Sequence, residues 1–282
     1  MSKRVVCLTA FTMLAAPAAA LAQSLGQSED DVEVSYIYAA VMGSGRYKIT
    51  DRTISMFRFP FSWSQREPTE TSPGWRWQLP VVIGYDDLSN IQSDWIDAVL
   101  PSQLVTLAAL PGFEYQYPVT ANWQLKPFAQ IGGGRDFSAD ETILMASIGL
   151  RSLSIFEIGE HWQLRWGNSV RWAGESQAHS GKKTRFSVLD TGIDFRRRIP
   201  ISLADRPVDI GVYYIYQRYL PSWRSSTAPD LEQKTIDLHE IGLSMGLSRP
   251  LEILGISFQR VRLGYKSGGS FSGWTFGTEF PF

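Results

Sequence analysis

The chain has 282 residues, a formal net charge of −1 and a mean hydropathy of −0.13, so no charge surplus points to nucleic acid or another polyanion. Aromatic residues reach 13% (10 Trp, 11 Tyr, 15 Phe), a share that a β-barrel with interfacial girdles requires. Beyond the first two dozen residues no segment holds ~18 consecutive apolar residues, which excludes a bundle of membrane-spanning helices.

Lys3 and Arg4 precede an apolar run over residues 5–16, Pro17 breaks it, and Ala20-Leu21-Ala22 fits a small-x-small cleavage pattern. Residues 1–22 therefore read as a cleaved secretory signal peptide, leaving residues 23–282 as the mature chain. Cys7, the one cysteine, lies inside that leader. The mature chain then has no thiol for a disulfide, a zinc-thiolate site or a nucleophile. Export and an aromatic-rich composition leave a soluble exported β protein or an outer-membrane barrel.

Alternation of side chains favours the barrel. Val34, Tyr36, Tyr38 and Ala40 suggest a first strand, Gly43-Ser44-Gly45 a turn, and Phe57, Phe59, Phe61 and Trp63 a second strand. Over residues 75–85, Trp75, Trp77, Leu79, Val81, Ile83 and Tyr85 share one face, with aromatics at both ends. The same period follows through residues 105–117, 123–131, 142–150, 162–172, 189–195, 208–216, 241–247 and 261–265. Such strands often exceed ten residues, as a tilted membrane strand needs (~9–11), whereas globular strands average ~5–6. The reading is a single all-β domain: a transmembrane antiparallel up-and-down barrel of about twelve strands with both termini on the periplasmic side.

Connection lengths agree in part. Long segments over residues 87–102, 174–183 and 220–234 would face outward, and residues 118–122, 157–161 and 248–254 would be short periplasmic turns. Residues 64–73 and 197–206 are expected as turns of about ten residues on the supposedly short side. Residues 90–100 could form a short helix, Gly132-Gly133-Gly134 a flexible turn, and residues 267–270 a hairpin turn.

The opposite parity collects charge. Arg76, Lys126, Arg151, Arg165, Arg171, Arg196, Arg260, Arg262 and Lys266 would face the lumen, with Glu114, Asp190, Asp194, Asp209, Glu240 and Glu279. Arg165 and Arg171 fall one strand from Asp190 and Asp194. Two readings stand: a salt-bridged filling that stiffens the barrel, or a narrow, weakly anion-preferring pore for a small solute. His179-Ser180, in a polar loop, could serve a lipid-directed nucleophile and base only if held together; adjacent residues in extended chain point apart. His239 suits an interfacial position and His161 a solvated one. No spacing supports a metal site, and no cofactor is expected.

Trp274, Phe276, Thr278, Phe280 and Phe282 alternate to the last residue. This strand resembles the sorting signature of Gram-negative outer-membrane proteins that the barrel-assembly machinery reads, with Pro281 as a departure. Over residues 33–282 the chain resembles the solitary autotransporter-type β-barrel family, on strand count, size and last strand. The resemblance implies an outer-membrane location, contact with lipids and lipopolysaccharide, no passenger domain, and a structural or narrow-pore role. Size alone also resembles outer-membrane phospholipases and lipid A deacylases, whose active-site patterns find no match in this sequence.

Overall fold

The computed structural model describes residues 41–49, 52–86, 104–137, 140–181, 183–203, 205–221, 236–253, 256–269 and 271–282. The expected leader, the strand over residues 34–40 and the helix over residues 90–100 lie outside the described residues.

The strands are β1 (Ser44–Ile49), β2 (Arg52–Arg66), β3 (Gly74–Asp86), β4 (Leu104–Ala109), β5 (Gly112–Thr120), β6 (Trp123–Asp136), β7 (Glu141–Ile158), β8 (Trp162–Gln177), β9 (Lys183–Leu203), β10 (Arg206–Pro221), β11 (Ile236–Ile253), β12 (Ile256–Gly268) and β13 (Phe271–Gly277). Apart from β4 and β5, consecutive strands pair antiparallel, and β1 pairs with β13, Ser44 opposite Phe276 and Ile49 opposite Phe271, which closes the ring. β4 and β5 are two halves of one strand. Both run between β3 and β6, and the break falls at Leu110–Pro111. Pro111 has no N–H for the ladder. The flanking groups are used instead: Leu110 N donates to Pro80 O (3.0 Å) and Ile131 N to Pro111 O (3.0 Å). Pro60 also faces Pro80 across β2 and β3. The barrel is thus closed, all-β and twelve-stranded.

Period two sorts the wall as the alternation predicts. Trp77, Ile148, Ile241 and Leu243 stand open on the outside, Leu243 at 66% exposure. Aromatic rows mark the outward edges. Trp63, Trp77, Trp123 and Trp162 lie near the short turns, while Trp274 packs edge-on against Tyr265 farther up (5.5 Å). Tyr214 bonds His239 Nδ1 at 2.7 Å on the same outer surface, so His239 is a girdle residue.

Several boundaries differ from expectation. The first described strand is β1, and of Gly43-Ser44-Gly45 only Gly43 turns, with φ of +93°. Residues 197–206 are largely strand, because β9 runs to Leu203 and β10 starts at Arg206 around Asp205 (φ 58°). Likewise β2 extends to Arg66, and β11 takes up residues 248–253. The polar segment from residue 174 is strand as far as Gln177. Gly132-Gly133-Gly134 is strand within β6, since side chains at Gly132 and Gly134 would strike the backbone of residues 107–110. The glycines there permit close approach rather than flexibility.

Candidate functional site

The lumen is filled in three zones. Toward the long loops, inward Tyr47, Met56, Ile143, Met145, Phe186 and Leu238 form an apolar cluster with Val41 and Met42 packed against it. At the short-turn end, Leu153, Tyr213 and Ile215 form a second cluster with Phe280 and Phe282. Charged groups occupy the remaining space, each carboxylate at the centre of a knot.

Glu114, on β5, is fully buried. It pairs with Arg76 from β3 (2.9 Å) and with Arg151 from β7, and accepts from Gln78 and Gln116 (both 3.1 Å). Glu240, on β11, pairs with Arg262 (2.6 Å) and Lys266 (3.2 Å) from β12 and accepts from Tyr213 and Thr275 hydroxyls (both 2.9 Å). Asp209 pairs with Arg260, which also donates to Ser244 (2.8 Å). Asp190 accepts from Ser169 (3.2 Å) and Gln217 (2.9 Å). Burial of a charge is costly without a partner, and these knots supply partners from two or three strands at a time.

Asp194 departs from expectation. Arg165 lies directly opposite it across β8 and β9, yet its carboxylate is taken by Arg196 of its own strand (2.6 Å). Arg165 instead donates Nε–H to Gln163 Oε1 (2.7 Å). Arg171, expected near the same acids, stacks over the Phe128 ring at 5.3 Å, beside Arg151 at 4.2 Å. Lys126 is buried and donates to the Phe282 carbonyl oxygen (3.2 Å).

That last bond belongs to the tail. The sorting strand was expected to alternate through Phe282, but β13 ends at Gly277. Trp274 and Phe276 face outward, whereas Phe280 and Phe282 turn into the lumen and are buried. The chain leaves the wall after Gly277, four residues before Pro281, which itself has no N–H to give a ladder. Gly167 on β8 and Gly192 on β9 make the seat: a side chain at Gly167 would strike the Phe282 ring, and one at Gly192 would come within 2.8 Å of it. Two cavities flank the tail. One of about 330 Å3 opens at the short-turn end, lined among others by Arg165, Arg196, Arg260, His161 and Glu157. The other, about 140 Å3, lies in the interior among Arg58, Arg171 and Glu240.

No protein-family model matches the chain, and no curated protein matches it. Among solved structures, the crystal structure of the β domain of the Bordetella autotransporter BrkA matches with a TM-score of 0.52 and 14% identity, over 83% of this chain and 93% of that one. The chain has the fold of an autotransporter β domain. At that identity the likeness is one of fold.

In this autotransporter-type barrel the expected charges on the strands lie on the lumen side, whereas Glu279, past the end of β13, is exposed beside the cavities; sequence reasoning missed several further residues. Arg58 sits between outward Phe57 and Phe59, so parity alone could have found it. Tyr213 likewise alternates with outward Val212 and Tyr214. The inward tail had a single signal, Pro281. His179 and Ser180 form the β8–β9 turn, where their backbone N–H groups donate to the Glu141 carboxylate (2.6 and 3.0 Å). The Ser180 hydroxyl donates to Gln177 Oε1 (2.7 Å).

Proposed function

We propose that the chain is an integral barrel of the outer membrane of a Gram-negative bacterium, with an autotransporter-like architecture and a structural rather than conducting role. The observation that carries the membrane reading is the outward row. Large apolar side chains stand exposed around the wall, with aromatics at its edges, while ion pairs occupy the inside. In water such a surface would drive association; in hydrocarbon it is the ordinary outer face of a barrel. In this reading lipids and lipopolysaccharide cover that face. The barrel-assembly machinery reads the last strand, through Trp274 and Phe276, and Phe280 and Phe282 reach their seats as the barrel closes.

The structural role rests on the filled lumen: two apolar clusters, four ion-paired carboxylates and an inward tail. Sucrose-gradient fractionation should place the protein with outer membranes; recovery in the soluble periplasmic fraction would refute that placement. Purified protein in planar bilayers should give a flat or nearly flat baseline. Gly167→Val, which removes the seat of Phe282, should raise conductance. Large, steady openings in the unaltered chain would establish a pore instead.

A further inference from the structure

Charge does not balance around the interior cavity. Arg58, Arg76, Arg151, Arg171, Arg262 and Lys266 line it. The carboxylates that answer them are Glu114, bonded to Arg76 and Arg151; Glu240, bonded to Arg262 and Lys266; and Glu279 on the cavity wall. Six cations face three side-chain carboxylates, and the Phe282 end of the chain beside them is held by Lys126. Arg58 and Arg171 are the uncommitted pair. Among the described residues neither forms an ion pair, and the Nε of each is buried without a hydrogen-bond partner. Arg171, Arg151 and Arg262 are close enough to Arg58 to repel it, and Glu279, which forms no ion pair with it, to attract it. Phe128 holds the Arg151 and Arg171 guanidinium groups against one ring.

Buried charges of one sign call for a counter-charge, and guanidinium groups match oxyanions through paired N–H donors. We propose that this cavity binds one small oxyanion of the phosphate class, held by Arg58 and Arg171. At about 140 Å3 the space suits an ion of that size rather than a nucleotide or sugar. Residues 280–282 form part of its wall. Its lining faces the barrel interior, so the ligand we have in view is the free ion and not a headgroup of the surrounding lipid. The inference stands on lumen geometry and does not depend on a structural role in the membrane.

Isothermal titration of inorganic phosphate into the folded full chain in detergent tests it, at fixed ionic strength with chloride as background anion. The expected result is saturable binding of one ion per chain and a thermal midpoint that rises with phosphate. Arg58→Gln and Arg171→Gln should each weaken binding about tenfold or more. Arg58→Lys, which keeps the charge but loses the paired donors, should fall between. Arg135→Gln, at an exposed rim pair, should leave affinity unchanged. Absence of saturable binding in the unaltered chain overturns the proposal. So does an equal loss in Arg135→Gln, which would mark diffuse attraction. If Arg58→Gln does not fold, Arg171→Gln and the titration of the unaltered chain decide.

Discussion

At Glu114 three strands meet through one side chain. Arg76 arrives from β3 and Arg151 from β7, and the carboxylate has no exposure to water. Glu114→Gln would leave both guanidinium groups buried without their counter-charge, a loss of about 3–5 kcal/mol. Urea unfolding in lipid vesicles should show a lowered midpoint of that size. The double variant with Arg151→Met should regain much of it, because an apolar replacement removes the stranded charge. At this scale the sequence told which face a residue takes and not which partner it keeps. Arg151 was legible as inward from period two. The choice of Arg196 over Arg165 by Asp194 was not, because strand register puts Arg165 opposite while the shorter reach lies along β9.

Strands were legible where a wall is greasy on one side only. β7 and β8 keep register through sixteen residue pairs, and their outward members Ile148, Leu150, Val170 and Trp172 are those the alternation picked. Their ends were harder to read, since a strand that leaves the apolar band turns polar without ceasing to pair. β9 is the example: Arg197 and Arg198 look like the start of a turn in sequence yet continue the ladder against β8 and β10. The glycine triplet of β6 was misread for a related reason, because close packing against residues 107–110 selects glycine just as a turn does. The outward band makes its own test. Leu243→Arg puts a charge into the middle of the β11 outer row, opposite Leu263 and Val212. If hydrocarbon covers that row, folding into vesicles should be destabilised by about 2–4 kcal/mol. Ser244→Arg is no matched control, since it would collide with the knots inside; Arg218→Leu at an exposed pair is a better one and should change little.

For the molecule as a whole, strand number and closure followed from counting alternating segments, and they agree with the match to an autotransporter β domain. What fills the ring did not follow. Filling depends on distances between strands far apart in the chain, such as Lys126 reaching Phe282, and no local pattern carries that information. The inward tail is the clearest case. Its aromatics fit the period of a last strand, yet the ladder stops at Gly277 and both rings lie in the interior.

The three prolines on adjoining strands bear on how the ring loosens. Pro60 faces Pro80, and Pro111 splits the strand next to it, so amide donors are missing from the middle of this stretch of wall, whereas Pro200, Pro207 and Pro221 on the β7–β10 side fall near strand ends. Deuterium uptake measured by mass spectrometry should therefore enter earliest through peptides of β2 to β5 and latest through those of β7 to β10. Uniform uptake around the circumference would mean that the missing donors leave no soft arc.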